Sequence, residues 1–190
     1  MDMTSDPVIL ASSSPRRKRL LELADIPFTV LTKEIDETFR PGLELNAAVT
    51  DVAKRKALAI KDQVGSDNII IAADTIVVLN DWVIGKPANK DEAINILTQL
   101  QGNTHRVITG VALLKHTKEI LFSECTEVVL HPLTPQQIIY YIDKYQPFDK
   151  AGAYAIQEWI GVVGIKKING DFYNVMGLPV SRVLQELEQL

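Results

Sequence analysis

Residues 68–79 hold a nearly unbroken series of β-branched side chains, Ile69, Ile70, Ile71, Ile76, Val77 and Val78, interrupted only by Asp74-Thr75. Such density without apolar/polar alternation specifies a strand buried on both faces. A strand of that kind belongs at the centre of a sheet covered by helices. The aspartate and threonine within it form a polar break that burial alone does not explain.

The segments on either side supply the partners. Val8 to Ala11 reads as a short buried strand, and Ser14-Pro15 as the N-cap and first residue of a helix with Leu20, Leu21 and Ala24 on its apolar side. Phe28 to Leu31 predicts a second strand, and Thr32 to Glu44 a polar loop. From Asn46 to about Gln63, Val49, Val52, Ala53, Lys56, Ala57 and Ile60 recur at helical spacing, so one lysine lies in an apolar stripe. Asn80-Asp81 turns the central strand back into Trp82 to Ile84, ended by Gly85-Lys86-Pro87, and Asp91 to Leu100 predicts a helix. Val107 to Leu114 and Ile120 to Leu130 predict a hairpin turning at Lys115 to Glu119. Thr134-Pro135-Gln136-Gln137 is a capping-box start for a helix running to Tyr145. Asn169-Gly170 predicts a second hairpin, between Ile160 to Ile168 and Phe172 to Val175, and Pro179 opens a final helix with Val183, Leu184 and Leu187 inward. Early alternation of strands and helices followed by hairpins argues for an α/β fold built on a mixed sheet.

The 190 residues, 46% hydrophobic and 23% charged, suit one globular domain spanning 1–190. A net charge of -4 and a pI near 5.4 disfavour a broad basic face for nucleic acid or anionic membrane. One cysteine, Cys125, forms no intrachain disulfide and suits a reducing compartment, so the cytoplasm is expected. Met1 to Asp6 has no basic leader, and no apolar run reaches a membrane-spanning length. Neither a GxxxxGK, GxGxxG, GxSxG nor HExxH motif occurs, and His105, His116 and His131 lack metal-ligand spacing.

Chemistry is expected where residues sit against ordinary folding rules. Arg16, Arg17, Lys18 and Arg19 crowd the start of a helix, where each like charge costs about 0.3 to 1 kcal/mol against the dipole. With the hydroxyls of Ser12, Ser13 and Ser14, they form either a phosphate-binding helix end or a solvated basic face. On the first reading, Arg17→Ala weakens phosphate binding and leaves stability unchanged or slightly raised. Asp74 is either a carboxylate aimed at a metal or a water, or an exposed residue of a bulge. Glu34, Asp36 and Glu37 form a loop-borne acidic cluster, and Glu37 with Asp74 would suffice for Mg²⁺ together with substrate phosphates. Lys56 is either a charge-compensating cation or a snorkelling stem, and Lys86 either a second such cation or a turn residue.

Taken in order, Leu10-Ala11-Ser12-Ser13-Ser14-Pro15-Arg16-Arg17, Ile35-Asp36-Glu37, Ala53-Lys54-Arg55-Lys56-Ala57, Ala73-Asp74-Thr75 and Gly85-Lys86-Pro87 resemble the Maf family of nucleoside triphosphate pyrophosphatases. So do Lys150-Ala151-Gly152-Ala153-Tyr154-Ala155-Ile156-Gln157 and Asn174-Val175-Met176-Gly177-Leu178-Pro179, so the likeness spans nearly the whole chain. The resemblance implies an elongated, curved mixed sheet flanked by helices, with two lobes and a central cleft, shared with inosine triphosphate pyrophosphatases. It implies divalent-metal-dependent cleavage, with Mg²⁺ or Mn²⁺, of a nucleoside triphosphate to the monophosphate and pyrophosphate. The Ala-Gly-Ala-Tyr-Ala-Ile-Gln segment resembles the branch acting on dTTP and UTP.

Residue by residue, the likeness joins the physical reading. Ser14, Arg16 and Arg17 would hold phosphate oxygens, Lys56 and Lys86 would offset charge on the leaving pyrophosphate, and Glu37 with Asp74 would bind the metal. Asp74 is also the candidate base for water, and the sequence leaves open which of its two roles comes first. Arg16, Thr75 and Gln157 would mark base selection. A glutamine amide can match the donor and acceptor edge shared by uracil and thymine. The family's association with septum formation leaves an alternative, a non-enzymatic nucleotide-binding regulator of cell division. The expected partner is the nucleotide; no nucleic acid or membrane is expected, and a homodimer is compatible with the sequence.

Overall fold

The isoleucine series forms β3 (Ile69–Leu79), a strand that continues unbroken through Asp74 and Thr75, so the polar pair is neither a bulge nor a turn. The computed structural model describes residues 6–190; the leader reading at the N-terminus falls almost wholly outside them. β3 pairs with β1 (Val8–Leu10), which pairs in turn with β2 (Phe28–Val30), and both pairings are parallel. β4 (Trp82–Ile84) folds back antiparallel on β3 through the Asn80-Asp81 turn. β5 (Thr104–Lys115) and β6 (Lys118–Leu130) are joined by a turn shorter than expected, His116-Thr117, with His116 at a φ of 53°. With β7 (Ile165–Asn169), the seven strands of the described residues run in the order β2-β1-β3-β5-β6-β7, with β4 attached to β3.

Among the described residues there are seven α-helices: α1 (Pro15–Leu23), α2 (Leu45–Lys61), α3 (Lys90–Leu100), α4 (Pro135–Tyr145), α5 (Trp159–Gly164), α6 (Phe172–Met176) and α7 (Val180–Leu187). The capping box of α4 forms as expected, with Thr134 and Gln137 exchanging side chain to backbone bonds. The second hairpin does not form. Ile160 lies in α5, β7 (Ile165–Asn169) pairs backward with β6, and Phe172 onward winds into α6. Asn169 ends the ladder with its side-chain amide donating to Glu127. Asn174 is fully buried and donates to the Val107 carbonyl and the Thr126 hydroxyl. Those long-range bonds claim a segment that local turn chemistry assigns to a strand.

The chain divides into two compact units. The first comprises residues 1–74, 109–124 and 177–190, and the second 75–108 and 125–176. In the first, Ile9, Ala11, Ile70, Ala72, Ala112 and Leu114 from the sheet pack with Ala53, Ala57 and Ile60 of α2. Because side chains alternate along a strand, Val8, Leu10 and Ile71, buried as well, face the opposite side, so the sheet is covered on both faces here. Small side chains on α2 allow a close approach. A Cβ on Gly110 of β5 would lie 2.5 Å from the Thr50 backbone nitrogen. In the second unit, α3 packs against α4 and the helical turn at Ala151–Ala153.

Candidate active site

The register of β1 on β3 builds the site in the first unit. Leu10 is paired with Ile71, after which β1 ends and the chain turns toward α1 while β3 runs on. Asp74 is three residues past that last pair, roughly 10 Å along the strand. The start of α1 thus follows the carboxyl end of β1, and Asp74 lies on β3 just past that end, the kind of edge where open α/β sheets place their ligands.

Asp74 is not the unneutralised carboxylate that its sequence surroundings suggest. The Lys56 ammonium lies 2.7 Å from its Oδ1 and 3.0 Å from Glu37 Oε1. Lys56 and Asp74 side chains are 15% and 14% exposed, whereas Glu37 is 56% exposed, so the buried pair opens to solvent on the Glu37 side. The apolar stripe of α2 is what brings Lys56 here. Val52, Ala53, Ala57 and Ile60 are all fully buried, and the lysine between them must enter the same interface. Its charge is therefore held by carboxylates rather than snorkelled into water.

Glu37 is placed by a residue that sequence reasoning did not single out. Arg55, one turn along α2 from Asp51 and bonded to it, donates to the carbonyls of Asp36 and Thr38 on either side of Glu37. Asp36 accepts from the Thr38 amide and hydroxyl, and these bonds hold its pKa below the ordinary carboxylate value. The acidic loop is thereby pinned to the helix that carries Lys56. The signal was available: Asp51 and Arg55 stand at i,i+4 spacing.

At α1 the outcome departs from expectation. Ser14 occupies the N-cap position but its side chain makes no capping bond; the buried Ser12 hydroxyl accepts instead from the Ser14 amide and from Arg17 Nη1. Arg17 is only 8% exposed, and its Nε donates to the Gly177 carbonyl at 2.8 Å. It is a buried tie between the two ends of the first unit, not part of a solvated basic face. Burial pushes its pKa down to about 10, opposed by the attraction of Asp74 and, more weakly, Glu37. Arg16 remains half-buried beside it.

The first unit therefore brings together Glu37, Lys56 and Asp74, electrostatically coupled to Arg17, with Ser14 and Arg16 at the helix start. The other expected residues belong to the second unit. Thr75 is half-buried on β3, Lys86 is exposed after β4, and Gln157 is exposed in a turn before α5. Among the described residues no cluster of three or more His, Cys, Asp or Glu is arranged for a metal. Two carboxylates converging on one cation nevertheless fit an ion such as Mg²⁺, which takes one or two carboxylates and completes its shell with substrate phosphates and water.

The Maf family model, described as Maf-like protein, matches residues 7–190. The chain belongs to the Maf family. Its Maf relatives include the dTTP/UTP pyrophosphatase of Cytophaga hutchinsonii, 51% identical over 183 residues that cover 96% of this chain and 84% of the relative. The dTTP/UTP pyrophosphatase of Parabacteroides distasonis is 46% identical over 182 residues, covering 95% and 94%. Among solved structures, the Ham1 protein of Staphylococcus aureus matches 96% of this Maf chain and 98% of its own with a TM-score of 0.51. At 14% identity that match is one of fold.

Proposed function

We propose that this Maf-family protein, working as one domain over residues 1–190, hydrolyses nucleoside triphosphates, dTTP and UTP foremost, to the monophosphate and pyrophosphate. The observation that carries the reading is the Lys56 ammonium held between Asp74 and Glu37 beside Arg17. The names of the curated relatives support the substrate.

Water attacks the α-phosphorus and its proton passes to the Asp74 carboxylate. The bond from the α-phosphorus to the bridging oxygen breaks, and pyrophosphate leaves with the electron pair. Lys56, bonded to Asp74, fixes the orientation of that carboxylate and supplies positive charge where negative charge grows. Arg16, Arg17 and the start of α1 offer cations and amide N–H groups to phosphate oxygens. Glu37 and Asp74 would hold a divalent cation, Mg²⁺ or Mn²⁺, whose contribution when bound is Lewis-acid polarisation of the phosphoryl oxygens. Thr75, Lys86 and Gln157 take their roles from the resemblance: Lys86 as a cation for the leaving group, Thr75 and Gln157 in reading the base.

Among the described residues no helix is long and apolar enough to cross a membrane, and together with the lone Cys125 this supports a cytoplasmic setting. Nothing in the site favours the division-regulator alternative. The test is to separate the products formed from dTTP, UTP, CTP and GTP, with Mg²⁺ and with EDTA. Equal amounts of monophosphate and pyrophosphate, highest kcat/KM for dTTP and UTP, and no turnover in EDTA are expected. Nucleoside diphosphate and orthophosphate as products would overturn the reading.

A further inference from the structure

Gln157 stands at the third position of a β-turn, Ala155 to Glu158, closed by the Glu158 amide donating to the Ala155 carbonyl at 3.1 Å. An exposed amide on a four-residue turn has no rigidity of its own. This turn is held from beneath by one side chain. Tyr141 of α4 is fully buried, and its hydroxyl accepts the Ala155 N–H at 3.0 Å while donating to the Glu158 carboxylate. One phenol oxygen therefore links the first and last residues of the turn, using both its donor and its acceptor capacity.

The surroundings keep that oxygen in place. The Tyr141 ring stacks on Tyr145 with centroids 5.1 Å apart, and Lys150, itself 8% exposed, faces the other Glu158 oxygen at 3.7 Å. α5 also passes so close that a Cβ on Gly161 would collide with the Ile156 carbonyl oxygen. The turn is thus fixed by a phenol and by a close glycine contact, with Gln157 its exposed side chain.

We infer that Tyr141 is a specificity-positioning residue: its hydroxyl sets the pose of the 155–158 turn and, through it, the base-reading amide of Gln157. This rests on the proposal that Gln157 reads the base. Tyr141 touches no substrate; it limits the positions the amide can adopt, so that the uracil edge meets matched donors and acceptors and the cytosine edge does not. Loss of that registration removes discrimination, because a misaligned amide pairs no better with one base than the other.

The experiment measures kcat/KM for UTP and CTP with the full-length wild type, Tyr141→Phe, Gln157→Ala and the double variant. Tyr141→Phe keeps the ring and is expected to reduce the UTP/CTP ratio roughly tenfold. The double variant should match Gln157→Ala alone, since the tyrosine acts only through the glutamine. Glu158→Ala, which breaks the bridge from its other end, should reproduce the loss, and it carries the test if Tyr141→Phe does not fold. Glu158→Gln retains an oxygen acceptor for the phenol and should retain the ratio. If Gln157→Ala lowers the ratio while Tyr141→Phe and Glu158→Ala leave it intact, the inference fails and the base-reading proposal stands. Losses that multiply in the double variant would also overturn it, by showing a separate route. A ratio unaltered by Gln157→Ala would remove the base-reading proposal and this inference with it.

Discussion

Arg17 is the residue whose structural setting most changes its expected behaviour. As part of an exposed basic helix start, it could be removed at no cost in stability. Buried, with bonds to Ser12 and the Gly177 carbonyl, it cannot. Arg17→Ala removes the guanidinium bonds to the Gly177 carbonyl and to the Ser12 hydroxyl, which keeps the Ser14 amide as a donor, and empties a buried site; it should lower stability by about 2 kcal/mol, read as a clear fall in Tm. An unchanged Tm would restore the solvated reading. The burial was legible in part: Arg17 shares a helical face with Leu20, Leu21 and Ala24, and four consecutive basic residues cannot all point outward. His105 offers a second test at this scale. It is buried on β5, its Nε2 is 2.7 Å from the Tyr154 hydroxyl, and burial lowers its pKa from 6.5 to about 4. Between those pH values the unfolded chain binds a proton that the folded protein does not. Stability therefore rises with pH through this window and is lost as pH falls through it, by on the order of 3 kcal/mol. Thermal unfolding from pH 7 to 4 should show a steeper acid decline for the wild type than for His105→Gln, and parallel declines would contradict the assignment.

At the scale of elements, the sequence marks those whose signals are local. The β3 series, the Thr134 capping box and the Asn80-Asp81 turn all form as read, because each is specified by residues within a few positions of one another. The C-terminal hairpin fails for the converse reason. Its Asn-Gly signal is local, but the partners that decide the segment are Glu127, Thr126 and Val107, more than forty positions away for Asn169 and Asn174. The candidate site divides the same way. Asp74, Lys56 and Glu37 stood out as charges in apolar or acidic settings, whereas the grip of Arg55 on the acidic loop and of Tyr141 on the 155–158 turn depends on tertiary contact. The packing of α2 on β5 makes Gly110 the element-scale test. A methyl group there meets the Val49 and Thr50 backbone rather than a flexible side-chain end. Gly110→Ala should therefore push the helix, and Lys56 with it, away from the sheet, with a stability loss of about 1 to 3 kcal/mol and a fall in kcat. Wild-type Tm and kcat in this variant would show that α2 tolerates displacement.

For the whole molecule, an acidic chain of net charge -4 is assigned a polyanionic substrate, which requires cations to be concentrated locally. The first unit gathers Arg16 and Arg17 of α1 with Lys56 of α2, the lysine held in place by Asp74 and Glu37. The central claim is that Asp74, so held, accepts the proton of the attacking water. It is tested by pyrophosphate release from UTP, with Mg²⁺ present, by the wild type and by Asp74→Asn shown to be folded by circular dichroism. In the folded variant kcat should fall about 10² to 10⁴-fold. A folded Asp74→Asn protein that keeps most of its turnover would contradict the claim.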